Sequence, residues 1–482
     1  MKLKAVIGLE IHVQLNTQSK IFSSDPNIFG EDPNTQISPI SVGYPGTLPK
    51  LNIQALRKAI VMGIACHCDI NMNSEFSRKH YFYPDLPKGY QITQHEESIC
   101  KNGYIDLNIN SGIKRIRFEK IHLEEDAGKS MHLENSDQSA IDLNRAGVPL
   151  IEMVTRPDLS TAEEAYQLLI NVRRLVRYFG ISDGDMEKGS LRCDANVSLR
   201  EENSEDLRDK VEIKNLNSIR FVRNAIELEI KRQHKIYTEG GKIESHTRAY
   251  DDMKNITFPT RSKEMAHDYR YLPEPDLPQF ILSQEFIEGV KNEMLPLPEI
   301  LQKELQQNYE LTKDDTELLI FDFDLLNYFR KAAVENNSEL TMNWIKGPVK
   351  QHLNQYDIDI VDFPIDPLKL KGLLLLINNG DINHNIASKK IFPLMLKERE
   401  KTAKQIWDEL NVEIKSDVSS LKQMVEQAVS MFPDKVEAYS NGKKGVVELF
   451  MGQVMKASKG TADPALSRKM IIETLNNKNS KK

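Results

Sequence analysis

The spacing of apolar residues changes once along this chain, near residue 290, and this change limits the possible folds more than any other feature. Before it, apolar and polar residues alternate in Ala5–Leu15 and Leu191–Arg200, which is the pattern of half-buried strands. Helical segments interrupt the strands without a regular βαβ repeat, so we predict an α+β domain with an antiparallel sheet. After the proline-rich segment Tyr271–Phe280, the spacing becomes helical.

Length and composition exclude several classes of protein. A chain of 482 residues predicts about three domains. No apolar run reaches about 18 residues, so we expect no membrane span. The first residues enter a strand pattern without the apolar segment of a signal peptide, so we expect a cytoplasmic protein. Among the four cysteines only Cys66 and Cys68 are close, which favours buried thiols over a structural zinc site.

Charge is distributed unevenly along the chain. The net charge is −7, but residues 411–482 contain 12 Lys and Arg against 8 Asp and Glu. This basic C-terminal segment is the part of the chain best suited to a polyanionic partner. A solvated helical surface explains the same contrast equally well.

The usual nucleotide-binding and nucleophile motifs are absent from the sequence. It contains neither the G-x-x-x-x-G-K-[ST] phosphate loop nor the G-x-G-x-x-G dinucleotide motif. It also lacks the G-x-S-x-G elbow of serine hydrolases. The sequence therefore gives little support to hydrolysis by an activated nucleophile.

Polar side chains recur instead on strand faces in the N-terminal half. Glu10 and His12 are two residues apart, so both leave the same face of their strand. Glu152 lies inside an apolar run, where a carboxylate must be solvated, paired or metal-bound. Asp194 and Arg192 share the polar face of a third strand. These positions are candidates for a cation site with oxygen ligands.

Two longer segments add further acids and bases. The segment His122–Lys129 contains three consecutive acids and predicts a turn between two strands near Asp126–Gly128, where water would solvate them. The run Ser77–Gln94 mixes lysines with aromatic side chains that would either stack on bases or fill the core. Acids on separate strands with nearby cations fit a magnesium–nucleotide site, and an acidic surface groove fits them too.

Seven segments in this order also resemble a known family, the GatB family. Its members are the B subunits of glutamyl-tRNA(Gln)/aspartyl-tRNA(Asn) amidotransferases, and the C-terminal segment GQVMKASKGTADP resembles their YqeY-like domain. The resemblance covers nearly the whole chain and is carried by GLEIHVQLNTQSKIF, YFYPDLPKGYQITQ, HLEEDAGK, DLNRAGVPLIEMVTRPD, KGSLRCDANVSLR, VEIKNLNSIRFVRNAIELEIKRQ and DYRYLPEPDLP.

The resemblance implies a fold and a reaction. Residues 1–292 would form a glutamine synthetase-like cradle with kinase activity, followed by a helical linker domain (293–410) and a YqeY-like helical tail domain (411–482). ATP, with Mg²⁺, would activate the side-chain carboxylate of glutamyl-tRNA(Gln) or aspartyl-tRNA(Asn) as an acyl phosphate. Ammonia would then displace the phosphate and leave the amide. The choice between the two tRNAs stays open.

The resemblance also implies roles for individual residues. Catalytic roles would belong to Glu10, His12, Glu125 and Asp194. The metal would be held by Glu10, His12, Glu124, Glu125 and Glu152, and the nucleotide phosphates by Lys79, Lys88, Arg145, Arg192 and Arg270. Strand alternation cannot place Glu124 and Glu125 on one face, so either one supports the ligands from behind or the hairpin bulges there.

The resemblance further implies partners. An amidase A subunit would release ammonia from glutamine, and a small C subunit would complete a heterotrimer. The tail domain would bind tRNA phosphates through Lys443, Lys444, Lys456, Lys459, Arg468 and Lys469. Two alternatives compete: a tRNA-binding module without chemistry, and a glutamine synthetase-like enzyme that amidates a free amino acid.

Overall fold

The structure of the chain is a computed structural model that describes residues 2–109, 112–132, 138–204, 206–262, 269–410, 418–440, 443–458, 462 and 464–479. The chain divides into two compact units, Met1–Pro296 and Leu297–Lys482. The first unit mixes strands and helices, and the second is helical. This arrangement confirms the predicted α+β class with a helical C-terminal region.

The first unit contains all the strands of the described residues. In chain order they are β1 (Leu3–Gln14), β2 (Asp69–Ile70), β3 (Asn73–Ser74), β4 (Ser77–His80), β5 (Tyr90–Thr93), β6 (Cys100–Lys101), β7 (Tyr104–Ile109), β8 (Gly112–Glu125), β9 (Lys129–His132), β10 (Ser139–Asp142), β11 (Pro149–Thr155), β12 (Leu191–Glu201), β13 (Val211–Lys214), β14 (His246–Asp251), β15 (Ile256–Ser262), β16 (Leu272–Pro273) and β17 (Phe280–Ile281).

Thirteen of these strands form one sheet. Its main path runs β15-β14-β13-β12-β1-β11-β8-β5-β4-β16, while β6 and β7 also pair with β8 and β2 pairs with β6. Only β13 and β14 pair in parallel among the described ladders. β1 lies near the middle of this path, and its alternating sequence gives it one apolar face and one polar face.

Helices cover the apolar face of the sheet. The first unit contains α1 (Ile53–Ala65), α2 (Ala162–Tyr178), α3 (Ile219–Thr238) and α4 (Gln284–Glu293). Thr161 accepts a hydrogen bond from the Glu164 backbone N–H at 3.1 Å and so caps the start of α2. The buried residues of α1, α2 and α3 join those of β1, β8 and β12 in one core. The other face of these strands is left for polar side chains.

The predicted hairpin around Asp126–Gly128 is wrong. β8 pairs with β11, whereas β9 pairs with β10 in a separate two-stranded sheet. Glu124, Glu125 and Asp126 are consequently buried rather than solvated at a turn, each being at most 4% exposed. At this burial, neighbouring cations and hydrogen-bond donors must compensate the three carboxylates in place of bulk water.

The second unit is built from short helices. They are α5 (Pro298–Tyr309), α6 (Lys313–Ile320), α7 (Phe323–Ala332), α8 (Ser338–Trp344), α9 (Lys350–Tyr356), α10 (Pro367–Asn378), α11 (His384–Ile386), α12 (Phe392–Lys397), α13 (Ala403–Leu410), α14 (Val418–Ser430), α15 (Pro433–Ser440), α16 (Val447–Ala457) and α17 (Pro464–Asn479). Two π-helical turns, Ile345–Val349 and Ala387–Ile391, join α8 to α9 and α11 to α12.

The last four helices have a core of their own. Buried apolar side chains from α14, α16 and α17 pack together, with Phe450 and Leu475 fully enclosed. The tail domain was predicted to start at residue 411, and residues 411–417 lie outside the described residues. That boundary, like the one between residues 292 and 293, stays a prediction.

Candidate active site

The polar face of β1 gathers acids from its two neighbouring strands. In the antiparallel register, His12 lies opposite Glu152 of β11 on one side and Arg192 of β12 on the other. Glu10 lies opposite Asp194 of β12. Directly opposed side chains in a sheet are close enough to interact, so the register alone assembles this group.

The first group of ligand-type side chains, here called the His12 cluster, consists of His12, Glu124 and Glu152. The His12 Nε2 atom lies 3.7 Å from Glu124 Oε1 and 3.7 Å from Glu152 Oε2. One ligand atom from each of the three residues lies within 4.8 Å of the others. One imidazole and two carboxylates at this spacing can hold a divalent cation.

His122 supports the His12 cluster from within the sheet. Its Nε2 atom lies 3.2 Å from Glu152 Oε2 and 3.7 Å from Glu124 Oε2. Burial lowers the pKa of His122, but Glu152 and Glu124 outweigh that effect and raise the pKa. Burial likewise raises the pKa of Glu152, yet His122, His12 and Lys79 bring it below its usual range. The Glu152 carboxylate is therefore favoured in its ionised form by the side chains around it.

The second group, here called the Glu10 cluster, consists of Glu10, Asp194 and Glu212. Their ligand atoms also lie within 4.8 Å of one another. Lys214 Nζ lies 2.6 Å from Asp194 Oδ2 and 3.1 Å from Glu212 Oε1, and Asn196 Nδ2 donates to Glu10 Oε1 at 3.0 Å. Three carboxylates thus converge at one point of the polar face.

Glu10 has a different electrostatic environment from Glu152. Burial is the largest cause that raises the pKa of Glu10, and the Glu152 carboxylate raises it further. The Asn196 hydrogen bond lowers the pKa of Glu10 only in part, because Asp194 and Glu212 add more negative charge. A cation at this point would relieve the repulsion among these acids.

Glu125 does not join either cluster. Its carboxylate accepts hydrogen bonds from Lys88 Nζ and, at 2.9 Å, from the Ile92 backbone N–H. The register of β8 with β11 is continuous at Glu124 and Glu125, so the bulge alternative is wrong. Strand alternation sends Glu124 to the His12 cluster, while Glu125 and Lys88 line a separate cavity of about 220 Å³.

Two of the predicted phosphate-binding cations lie beside the carboxylates. Burial lowers the pKa of Lys79, but Glu124, Tyr271 and Glu152 more than offset it, so its pKa is raised. The Lys79 ammonium also lies 4.8 Å from the centre of the Tyr269 ring. The Arg192 guanidinium donates to Asp126 Oδ2 at 2.7 Å and remains charged at the edge of the polar face.

The remaining predicted phosphate ligands lie farther along the fold. Arg145 donates to the carbonyls of Ala127 at 2.9 Å and Gly128 at 2.6 Å, and its Nε lies 3.6 Å from Asp126 Oδ2. Arg270 is exposed, and its carbonyl oxygen lies 2.9 Å from His80 Nδ1. Arg145 therefore joins Arg192 around one carboxylate, whereas Arg270 lies at the surface.

Sequence reasoning gave no site role to three residues that the structure places here: His122, which it noted only within its segment, and Glu212 and Lys214. His122 has the same strand parity as Glu124, so the alternation in β8 contains the signal for it. Glu212 and Lys214 alternate with the buried Val211 and Ile213 in β13, which places both on the polar face. The missing information was that β13 pairs with β12 beside Asp194, a contact between distant segments.

A larger cavity opens at one end of the polar face. Its volume is about 890 Å³, and its lining includes residues 27–31, 144–145, 182–183 and 186–190. Gln14 and Arg192 line it where it meets the strands. The site therefore combines two carboxylate clusters with space for a bulky substrate.

The predicted tRNA-binding cations lie in the second unit. The exposed ones are Lys443, Lys444, Lys456, Arg468 and Lys469, and Lys459 lies outside the described residues. Arg468 pairs with Glu448 at 2.5 Å, so a nearby negative charge offsets its positive charge. No described helix of either unit combines the length and apolar character needed to cross a membrane.

Comparison with known proteins identifies the family. Residues 5–288 match the model of the GatB/GatE catalytic domain, and residues 327–475 match that of the GatB domain. The chain belongs to the GatB family. It is accordingly a subunit of an amidotransferase, a ligase, and the two carboxylate clusters lie within the matched catalytic domain.

Full-length relatives give the same result. The chain is 43% identical over 477 residues to the B subunit of the aspartyl/glutamyl-tRNA(Asn/Gln) amidotransferase of Persephonella marina, covering 98% of this chain and 100% of the relative. It is 42% identical over 478 residues to the protein of the same name in Geobacillus thermodenitrificans, covering 99% of this chain and 100% of the relative. The similarity thus includes both units.

Proposed function

We propose that this chain is the B subunit of a tRNA-dependent amidotransferase that phosphorylates the side-chain carboxylate of glutamyl-tRNA(Gln), aspartyl-tRNA(Asn) or both with ATP. Ammonia then displaces the phosphate and forms the amide. The observation that carries the proposal is the pair of carboxylate clusters on one sheet face, bordered by Lys79, Arg192 and Lys214.

The donor sets of both clusters suit Mg²⁺. His12, Glu124 and Glu152 would hold one ion, and Glu10 and its two partners fit a second, because hard oxygen donors dominate both sets. When bound, Mg²⁺ would neutralise phosphate oxygens and so allow two anions to meet. The raised pKa of Glu10, due first to burial and then to neighbouring acids, supports a cation at this point.

Cationic side chains complete the environment of the transferring phosphoryl group. Lys79 lies at the His12 cluster, and Arg192 lies beside His12 in the register, so both can offset negative charge on the substrate. Lys214 Nζ lies 2.6 Å from Asp194 Oδ2, and this ion pair orients the Asp194 carboxylate within the Glu10 cluster. Together these residues bind and orient an anionic substrate without supplying a nucleophile of their own.

The burial of the acids argues against a binding module without chemistry. Glu124 and Asp126 are 3% and 4% exposed, and buried carboxylates are costly unless cations or hydrogen bonds compensate them. A groove that only grips RNA gains nothing from buried acids facing a phosphate backbone. The free-amino-acid alternative receives no support from the two relatives described above, whose names specify tRNA substrates.

Ammonia would come from a partner. The sequence lacks a recognisable nucleophile motif for glutamine hydrolysis, so we propose that an amidase A subunit supplies ammonia and that a small C subunit completes the complex. Because the product serves translation, we propose that the complex acts in the cytoplasm. The purified chain should then form the amide with ammonium and fail with glutamine.

The test measures ATP hydrolysis and amide formation by the reconstituted complex, with Mg²⁺ and misacylated tRNA. We expect tRNA-stimulated ATP hydrolysis that Glu152→Gln abolishes, while Glu119→Gln, at an exposed position of the neighbouring strand β8, leaves it unchanged. An unstimulated complex, or an active Glu152→Gln complex, would contradict the proposal.

A further inference from the structure

Two cysteine thiols face each other in the first unit, outside both carboxylate clusters. Cys68 lies between α1 and β2, and Cys100 begins β6. β2 and β6 pair in an antiparallel ladder, with Ile70 opposite Cys100. Cys68 precedes Ile70 by two residues, so strand alternation directs its side chain to the same face of the ladder, diagonal to Cys100. The pairing of β2 with β6 therefore brings together two thiols that are distant in the sequence.

The two thiols interact with each other. The hydrogen bond between the Cys68 and Cys100 side chains is the largest cause that raises the pKa of Cys100, and burial raises it further. Each thiol also lies near a backbone carbonyl: Cys100 Sγ is 3.7 Å from the Ala59 oxygen, and Cys68 Sγ is 3.9 Å from the Cys66 oxygen. Thiols are weak hydrogen-bond donors, so these contacts cost little to break if the two sulfur atoms bond to each other.

Two glycines make room for the sulfur atoms. A Cβ atom at Gly63 would lie 2.4 Å from Cys100 Sγ, and a Cβ atom at Gly103 would lie 2.3 Å from Cys68 Sγ. Both distances are far shorter than van der Waals contact, so a larger residue at either position would displace a sulfur atom. The backbone can therefore approach both sulfurs closely, which limits how far the two thiols can move apart.

A third cysteine nearby does not make this pair a metal site. Cys66 is buried, and it contributes to the raised pKa of Cys100. Among the described residues, however, no thiol belongs to a group of three ligand atoms that lie within 4.8 Å of one another. A structural zinc ion needs four ligands in tetrahedral positions. Since all four cysteines are free, oxidation is the chemistry that remains open to the facing pair.

We propose that Cys68 and Cys100 form a peroxide-sensitive pair that closes to a disulfide. Cys68 is only half-buried whereas Cys100 is buried, so hydrogen peroxide reaches Cys68 first. The Cys68 sulfur attacks one peroxide oxygen: an S–O bond forms, the O–O bond breaks, and a sulfenic acid and one water result. Cys100 Sγ then attacks the Cys68 sulfur, so that the S–S bond forms and the S–O bond breaks. The second water carries away the Cys100 proton, and two thiols have given two electrons to one peroxide.

The disulfide would join the two ends of a segment that serves the carboxylate clusters. Residues 69–99 lie between the two cysteines and contain β4 and β5, together with Lys79 and Lys88. A covalent link that closes such a loop restricts the unfolded chain and so stabilises the folded one. In a reducing compartment the pair stays a dithiol until an oxidant arrives. The inference is independent of the proposed function, because it concerns thiols outside the clusters.

The test maps disulfides in the full-length chain after treatment with hydrogen peroxide. Remaining thiols are alkylated with iodoacetamide, and the chain is digested with trypsin. The two cysteines then lie on the peptides Ala59–Arg78 and Gly89–Lys101. We expect one cross-linked species whose mass equals the sum of both peptides less two hydrogen atoms. Cys66 and Cys193 should be alkylated in the same sample.

Three variants identify the bonded sulfurs. Cys68→Ser and Cys100→Ser should each abolish the cross-link. Cys66→Ala is the matched control, because it removes the third thiol from the same peptide and keeps the proposed pair. A cross-link that survives in Cys68→Ser but disappears in Cys66→Ala would assign the bond to Cys66 and overturn the inference. Cys68 is half-buried, so Cys68→Ser provides a test that does not depend on replacing a buried side chain.

Melting temperatures give a second readout. The oxidised wild-type chain should melt roughly 5 °C above the reduced chain, and dithiothreitol should reverse this shift. Cys68→Ser should show no such shift after the same treatment. Met253, which is 93% exposed, reports that the oxidant has acted, because peroxide converts an exposed methionine to its sulfoxide. Oxidised Met253 together with reduced Cys68 and Cys100 would overturn the inference.

Discussion

The two carboxylate clusters share one sheet face but differ in how their charge is balanced. His122 and Lys79 hold the pKa of Glu152 below its usual range although burial opposes this. Burial raises the pKa of Glu10, and its neighbouring acids raise it further. We infer that the neighbours of Glu152 favour its ionised form before any cation binds, whereas burial and neighbouring acids oppose the ionisation of Glu10 until a cation compensates them.

The largest expected effect is the loss of activity when the His12 cluster loses a carboxylate. Glu152→Gln removes a proposed ligand and one partner of His122, so amide formation should fall roughly a thousandfold or more. The measurement is the steady-state rate of the reconstituted complex with saturating ATP and misacylated tRNA. An unchanged rate would show that the His12 cluster has no role in the chemistry.

The Glu10 cluster should respond differently. Glu10→Gln removes one of the three carboxylates proposed to bind a cation in the Glu10 cluster. The Mg²⁺ concentration for half-maximal rate should therefore rise about tenfold to a hundredfold. Near-saturating Mg²⁺ should restore most of the activity. Titration of the rate with Mg²⁺ checks this, and an equal loss at every Mg²⁺ concentration would show that the two clusters do not differ.

Glu125 tests the boundary of the His12 cluster. Lys88→Met leaves the buried Glu125 carboxylate without its cation, so the free energy of unfolding should fall by about 3–5 kcal/mol. The double variant Lys88→Met/Glu125→Gln should lose less, because no unpaired charge remains. Denaturant unfolding measures both, and a metal affinity that falls with Glu125→Gln would place this residue in the cluster after all.

Opposite pH dependences should distinguish the clusters without metal. The lowered pKa of Glu152, caused by His122 against the effect of burial, stabilises the fold above pH 4.5, and this stability is lost as pH falls. The raised pKa of Glu10, due first to burial, makes its ionisation destabilising as pH rises above 4.5.

Melting temperatures in EDTA should show these signs as shifts of a few degrees. At neutral pH, Glu152→Gln should melt below the wild-type protein and Glu10→Gln above it. Both differences should shrink toward acid pH, because the carboxyl groups are then protonated in the folded and unfolded chains alike. Shifts of the same sign in both variants would show that the two carboxylates share one environment.

Local pattern was enough to predict part of this site. The period of two in β1 gives Glu10 and His12 a common direction, because strand geometry is a property of neighbouring residues. In β8, the residues from Ile121 to Glu125 are buried on both faces, so the pattern does not show where Glu124 and Glu125 face. The register of β8 with β11 determines which face each of these residues takes. This register depends on pairing between segments that are distant in the sequence, so local pattern does not contain it.

The same reason explains the wrong hairpin and the missed Glu212. A turn signal near Gly128 predicts a change of direction, but it does not tell whether the following strand returns to β8 or pairs with β10. Glu212 reaches Glu10 only because β13 extends the sheet beyond β12. From the residues alone, a cation site and an acidic surface groove explained these acids equally well. The family resemblance favoured the cation site, and the burial of the acids supports that interpretation.

The smallest effect is expected far from both clusters, in the tail. Lys443→Ala/Lys444→Ala removes two exposed cations that would each contact one phosphate, so tRNA affinity should fall only a few-fold at moderate salt. The slope of log K against log salt should decrease by about one to two, while the half-saturating Mg²⁺ concentration stays unchanged. Lys422→Ala, an exposed cation of α14, is the matched control. An unchanged slope would remove these lysines from the tRNA interface and leave the cluster comparison intact, because phosphate contacts position the substrate without taking part in its activation.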